Sequence, residues 1–509
     1  MPIPSPNTSW PPAPWDVAYR QYEINDAWLT GDTDSLAKIY GRGERGTHTR
    51  RGQEMRGGLV GAASRMFWGR PVPAAENRAR LHVPAPADLA TLASDQVFSE
   101  GMEVGADGAP EKTKARLDLI ANSDEALETF STMGELKSAF GATALVSRWD
   151  EAVADHVWLE ASAADVTIPT FRSGRLVELT LWTEYRDLNI VWRHLEHHGI
   201  GYIEHALFQG TDDNLGRRVP LEDRPETAVY ADLVNADSII ETGIDRLTAS
   251  WNPNLTAQQW RKAGVLAHAG RSDFHQLLPL FDALDETFSS WIRDLRLGAG
   301  RILVPEAALD TMGPGQGGAF DMGREVFAGL NMPGDPSKVA FDQVQFAIRV
   351  EEHEKTMLAI YKEILRKAGF APSAWGDYSG GAQMTATEVQ DRKSASERTR
   401  DKKILRDRAA IAQQSAVALE LDGILFPGKG GERLDALPVV TFPDVSQEDP
   451  LQLAQTLSYL DTAGAISTEQ KVRRANPEWD DQQVKDEVTA IRSERAVADP
   501  AMFTGLGEE

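Results

Sequence analysis

Residues 376–388 read Gly376-Asp-Tyr-Ser-Gly-Gly-Ala-Gln-Met-Thr385-Ala-Thr-Glu388, and from there the chain runs to Leu421 without a Pro or Gly. Thr385 and Glu388 have the spacing of a capping box, in which hydroxyl and carboxylate satisfy backbone donors that a helix start leaves unpaired. The pattern predicts a helix over 385–421, about 55 Å long at 1.5 Å per residue and several times the average globular helix. Between Gln390 and Arg408 only Ile404 and Leu405 are large and apolar. Arg392, Lys393, Arg398, Arg400, Lys402, Lys403, Arg406 and Arg408 stand there against Asp391, Glu397, Asp401 and Asp407, eight bases to four acids in a chain of net charge -24. A helix polar all round must bridge solvent, line a cavity or pack against charged neighbours. The plainest version is an exposed helix held by i,i+4 ion pairs.

The 509 residues exceed one simple core and predict two to four domains. No apolar run approaches the length of a membrane span, and no charged and then apolar segment opens the chain, so neither a membrane protein nor a secreted one is expected. The absence of cysteine excludes disulfides, thiolate metal sites and cysteine nucleophiles. The acidic balance argues against sequence-independent DNA coating, which needs positive charge to release counterions. A conduit through which DNA slides without sticking remains compatible with it.

Residues 1–14 are Pro-rich and read as an extended arm, with Trp10 and Trp15 as docking points. Residues 19–40 read as a helix, and the Arg-rich, Gly-rich stretch 42–56 as a solvated loop. Helical periodicity marks 85–100 and 118–140. From residue 144 the period changes to alternation, and 144–149, 156–159, 166–169, 177–185, 189–195 and 202–208 read as strands of an antiparallel sheet. His194, His197, His198 and His205 lack metal-ligand spacing and flank a hairpin turn, so they are expected on the hairpin surface. Ser272 is read as the cap of a helix to 297 whose stripe includes Phe281, Leu284, Phe288, Trp291 and Ile292; Pro279 should kink or restart it. A Gly/Pro-rich insert follows, then a helix over 343–367 closed by Gly369. Beyond Gly423 come a short strand near 438–442 and helices at 450–463, 468–475 and 478–495.

Enzymatic leads are few. Residues 423–430, Gly-Ile-Leu-Phe-Pro-Gly-Lys-Gly, match most of a phosphate-binding P-loop, but Gly430 replaces the magnesium-binding Ser or Thr and the segment follows a helix instead of a strand. Residues 313–318 are glycine-dense without dinucleotide-site spacing, and no Gly-x-Ser-x-Gly elbow occurs. No catalytic residue, cofactor or metal is expected.

The layout of two helices flanking a small insert, then a Gly-rich loop and a very long charged helix, resembles bacteriophage portal proteins. The residues resemble the portals of tailed phages infecting actinobacteria: Phe67-Trp-Gly-Arg-Pro71, Leu81-His-Val-Pro84, Ala87-Asp-Leu-Ala90, Arg148-Trp-Asp150, Ala154-Asp-His-Val-Trp158 and Gly174-Arg-Leu-Val177. Ser272-Asp273, Leu284-Asp285, Arg301-Ile-Leu-Val-Pro305 and Thr385-Ala-Thr-Glu388 continue the series, whose order and spacing span nearly the whole chain.

The resemblance implies a mixed α+β portal fold. Its parts would be a wing over 1–270 of N-terminal helices and antiparallel strands, stem helices at 271–297 and 343–369, a clip at 298–342 and a tunnel loop at 370–385. A long helix with a return to the wing would occupy 386–445, and a helical C-terminal crown 446–509. It also implies a homo-oligomeric ring of about twelve copies at one capsid vertex, closed by the same heterologous contact throughout. Double-stranded DNA would pass through during packaging and ejection, with large terminase, a head-tail adaptor and the major capsid protein as partners. The protein would reside in the virion and assemble in the host cytoplasm. Tyr378, Ser379, Gly380, Gly381, Gln383, Met384 and Thr385 are the tunnel-loop candidates. Arg392, Lys393, Arg398, Arg400, Lys402 and Lys403 are candidates for the channel or for subunit contacts, and Phe281, Leu284, Phe288, Trp291 and Ile292 for stem packing. Two other classes compete: another ring-forming connector or capsid component without a DNA-gating loop, and a metal- or nucleotide-dependent enzyme.

Overall fold

The computed structural model describes residues 3–43, 81–188, 190–297, 301–303, 310–311, 318–319, 342–344, 349–371, 386–443, 450–476, 479 and 481–497. The chain forms two compact units, Met1–Phe442 and Pro443–Glu509, and the fold is mixed α+β.

The first unit opens with helices α1 (Asp16–Thr30) and α2 (Thr33–Gly43), separated by Gly31 at φ 67, a left-handed turn that breaks the single helix expected over 19–40. Helix α3 (Ala85–Phe98) and strand β1 (Glu103–Gly105) follow, then α4 (Glu111–Ala121) and α5 (Asp124–Phe140). The last two were expected as one helix. Ser123 divides them, because its side chain accepts the Ala126 N–H and caps α5.

Strands β2 (Ala142–Arg148) and β3 (Trp158–Ala163) come next, and then β4 (Thr167–Arg172), β5 (Arg175–Asp187), β6 (Ile190–Gly199), β7 (Tyr202–Thr211) and β8 (Asn214–Val219). Helix α6 (Pro225–Ala231), β9 (Ile239–Glu241) and β10 (Ala249–Pro253) complete the sheet region. The larger sheet is antiparallel in the order β4-β5-β6-β7-β8, with β9 also on β7, and the smaller runs β10-β2-β3. Both faces of the larger sheet are covered. On one side Trp10 stands edge-on to Trp182 at 5.4 Å and Tyr19 stacks on Trp182 at 6.1 Å. The N-terminal arm therefore docks as its tryptophans suggest, pinned by Leu215 N–H to Thr8 O at 2.9 Å. On the other side Arg148 of β2 reaches Glu196 of β6.

Helix α7 (Leu278–Leu297) begins five residues later than the Ser272 cap implied. Residues 273–277 are turns, and Pro279 occupies the first helical turn, where its missing N–H costs nothing. Strands β11 (Arg301–Leu303) and β14 (Asp342–Val344) pair antiparallel, as do β12 (Asp310–Thr311) and β13 (Gly318–Ala319). Residues 343 and 344, expected as helix, lie in strand β14, and α8 (Val350–Ala368) starts later and ends at Gly369, φ 88. Helix α9 (Ala386–Leu425) is 40 residues long, and β15 (Val439–Thr441) pairs with β1.

The second unit holds α10 (Pro450–Thr462), α11 (Thr468–Ala475) and α12 (Asp481–Val497). Ser467 caps α11, and Val472, Val484 and Val488 form a small core with Trp479 and Ile491.

Candidate functional site

Helix α9 has two halves. Its C-terminal half is buried: Ile411, Val417, Leu419 and Leu421 join Phe130, Met133 and Leu145 in one apolar cluster. From Lys403 onward the helix also carries charged groups inward, each met by a partner far away in sequence. Lys403 Nζ pairs with Asp273 Oδ2, which also accepts from Ser138 Oγ at 2.7 Å, while Asn254 Nδ2 donates to Asp273 Oδ1 at 2.9 Å. One turn on, Lys137 Nζ pairs with Asp407 Oδ1, and Asn252 Nδ2 donates to the same oxygen at 2.7 Å. Burial pushes the Lys137 ammonium below its usual value against the pull of Asp407. Gln414 Nε2 donates to Ser147 Oγ at 2.7 Å and Thr248 O at 2.8 Å. Near the end, Arg116 grips Asp422 with both fork nitrogens, Nε to Oδ2 at 2.6 Å and Nη2 to Oδ1 at 2.9 Å, and Val157 N–H donates to Oδ1 at 3.0 Å.

A rod held by i,i+4 pairs is therefore the wrong picture for residues 403–422. The helix packs against charged neighbours, because the elements it crosses supply partners that no local spacing could. Sliding it by one turn, about 5.4 Å, would leave several buried charges unpaired at once. Its axial register is fixed by polar contacts as much as by apolar ones.

The outward face differs. Arg398, Asp401, Lys402, Leu405 and Arg408 are exposed and recur at helical spacing. Of the basic candidates, Arg398 and Lys402 lie on this stripe. Arg400 is half-buried and donates Nε–H to Gln96 O at 2.8 Å. Lys403 is enclosed by its own chain, with its ammonium on Asp273 and 5.9 Å from the Phe370 ring, so it faces neither a channel nor a neighbour. Arg392 and Lys393 lie on the helix backbone. Tyr378, Ser379, Gly380, Gly381, Gln383, Met384 and Thr385 lie outside the described residues. The helix is joined to the end of α8 by Thr399 Oγ1 donating to Gly369 O at 2.9 Å and by Ala371 N–H donating to Ser396 Oγ at 2.8 Å.

No protein-family model matches the chain. No curated protein matches it either. Among solved structures it is similar to a chain in "Neck of empty GTA particle computed with C6 symmetry", at 14% identity over 82% of this chain and 92% of that one, TM-score 0.39. It is also similar to a chain in "Neck of native GTA particle computed with C12 symmetry", at 15% identity over 81% of this chain and 91% of that one, TM-score 0.37. A chain in "Virion of native gene transfer agent (GTA) particle" matches at 15% identity over 81% and 98%, TM-score 0.38.

The α7/α8 hairpin sorts the stem candidates. Phe281 and Leu284 are buried within their own chain, Phe281 against Trp28 at 5.7 Å and Phe274 at 5.6 Å. Phe288, Trp291 and Ile292 are half-buried. Trp291 stacks on His353 at 6.1 Å, and Asp294 binds His353 at 3.0 Å and Arg349 at 2.9 Å, which zips the two helices together. Beyond that zipper Leu295, Val350 and Leu358 are exposed.

The P-loop-like segment does not form a phosphate cradle. Gly423 lies in the last turns of α9, residues 426–438 form neither helix nor strand, and Lys429 Nζ contacts Asp155 at 3.0 Å. The four histidines are buried, contrary to the surface expected of them, because both faces of the larger sheet are covered. Among the described residues no group of three or more His, Asp or Glu is placed to hold a metal ion, and no described helix is long and apolar enough to cross a membrane.

Proposed function

We propose that this chain is the portal subunit of a tailed phage infecting actinobacteria: a structural, non-enzymatic protein of the virion that closes a ring of about twelve copies around a DNA channel. In this reading α7 and α8 are the stem, residues 298–342 the clip on which large terminase and later a head-tail adaptor dock, and residues 370–385 a loop over the channel. The observation that carries the proposal is the succession itself. A helical hairpin is joined by an insert whose ends pair as β11 and β14, and it is followed by a helix of 40 residues with one buried, register-locked half and an exposed basic stripe. A conduit must hold DNA weakly, and a chain of net charge -24 with a narrow basic stripe meets that demand better than a basic wall.

Two measurements test it. Native mass spectrometry with negative-stain class averages should give a closed ring of about a dozen subunits around an open pore; an open filament or a compact assembly without a pore overturns the proposal. Replacing residues 372–385 by a shorter Gly-Ser segment should leave the ring intact and lower DNA packaging or retention. Packaging at the parental level would remove the loop from the mechanism.

A further inference from the structure

A group of titratable side chains lies between the larger sheet and the elements covering it, and the proposed ring makes no use of it. Strand alternation puts His194, Glu196 and His198 on one face of β6, and the register sets His205 of β7 opposite Glu196. His194 Nε2 and His205 Nδ1 are 3.1 Å apart, so one ring donates its proton to the other. The rings are nearly parallel, at 13°, and are 5% and 2% exposed. Tyr230 of α6 covers both, its ring 5.0 Å from His194 and 4.5 Å from His205.

No anion is free to receive a second proton's charge. Glu196, the carboxylate beside the pair, is bound by Arg148 and lies 2.9 Å from His198 Nε2. Arg148 also binds Glu160 of β3, at 2.5 Å. The other titratable neighbours are the phenols Tyr185 of β5 and Tyr230. Charging both imidazoles would break the hydrogen bond between them and set two cations side by side next to the Arg148 guanidinium.

The segment that covers the pair has few other anchors. It runs from residue 221 to residue 241 and contains α6 and β9, and Val229 and Leu233 on it are each 64% exposed. It is held by the three-residue β9–β7 pairing, by His205 N–H donating to Ser238 O at 2.9 Å, by Arg224 on Asp187 and over the rings of Tyr185 and Trp192 at 5.3 and 5.5 Å, and by Tyr230 on the two imidazoles. We infer that the His194–His205 pair is an acid-operated latch, which holds residues 221–241 on the sheet through Tyr230 and releases them when both rings are protonated. Release would bare the β7 edge at Tyr202, Ile203 and Glu204, an unpaired strand edge open to another strand. This inference is independent of the ring.

The direction follows from proton linkage. Burial holds His194 and His205 down at about 4, Glu196 pulling the other way, whereas imidazoles exposed by release return to about 6.5. Between those values the open segment binds more protons than the closed one, so closure weakens as pH falls. The opening constant grows by about 100-fold per pH unit when both rings respond, and by about 10-fold for one. A cavity of about 290 Å³, lined by Arg148, Glu160, Thr183, His194 and Glu196 among others, gives protons a route to the pair.

Hydrogen exchange of the full chain from pH 7 to pH 4.5, corrected for intrinsic rates, tests the latch. Peptides within 221–241 should lose at least about tenfold protection over that range, while peptides within 124–140 hold theirs. His205→Gln keeps a neutral hydrogen-bonding group and should reduce the slope to that of one proton. Exchange at the imidazole C2 positions of His194 and His205 reads their midpoints in the unaltered protein, whether or not the variant folds. Midpoints near 6.5, a segment still protected at pH 4.5, simultaneous opening of 124–140, or an unchanged slope in His205→Gln would each overturn the inference.

Discussion

Lys137→Met is the substitution that most directly probes how α9 is held. Lys137 is 1% exposed and its ammonium sits on Asp407, which is itself fully buried and accepts one further hydrogen bond, from Asn252 at 2.7 Å. Methionine fills nearly the same volume, so the change removes the charge with little loss of packing. Asp407 is left as a buried anion with one amide donor, and breaking a buried pair from one side costs about 3–5 kcal/mol. Removing both charges in Lys137→Met/Asp407→Leu should be less damaging than removing one. The double variant no longer buries an anion, and its remaining cost is the Asn252 amide that has lost its acceptor, about 1–3 kcal/mol. Urea titration followed by tryptophan fluorescence and far-UV circular dichroism measures both losses. A single-variant loss below about 1 kcal/mol, or a double variant no more stable than the single one, would refute the view that buried ion pairs fix the register of α9.

Two further outcomes are expected. Asp165 is half-buried, and its buried Oδ1 without a hydrogen-bond partner, with Asp26 nearby, accompanies a carboxyl pushed up by burial to about 6. The folded value lies above the unfolded one, so the stability it contributes is complete below about pH 4 and lost as pH rises through 6, about 3 kcal/mol in all. Asp165→Asn should flatten that part of the unfolding free energy measured between pH 4 and pH 7, and an unchanged pH profile would refute it. Lys402 is on the exposed stripe of α9, so Lys402→Ala should change unfolding free energy by less than about 0.5 kcal/mol. In the proposed ring the same change should lower the slope of log DNA affinity against log salt by about 1; an unaltered slope would take Lys402 off the DNA path.

Much of the architecture was legible because it rests on local rules. Alternation between residues 144 and 208 marked the strands from β2 to β7, since side chains of a strand change face at every step. An uninterrupted stretch without Pro or Gly marked the long helix, and Gly369 its predecessor's end. Boundaries slipped where a single residue decided them, as at Ser123 and Gly31. The four histidines looked like hairpin surface, because sequence alternation does not tell whether the second face of a sheet is covered. Nothing near Lys137, Arg116 or Asp273 in sequence signalled their roles, since their partners on α9 lie 270, 306 and 130 residues away.

By itself the sequence determined the fold class, the central run of antiparallel strands, the approximate length of the long helix and the excess of base over acid in its first half; it gave no sign of the strands at 103–105, 214–219, 239–241 and 249–253. Only the tertiary structure decided which of those charges turn inward. Helical spacing assigns residues to faces, but whether a face meets water or a buried carboxylate depends on elements brought from elsewhere in the chain. That is why Lys402 and Lys403, adjacent and chemically identical, end as an exposed cation and as a buried tether on Asp273.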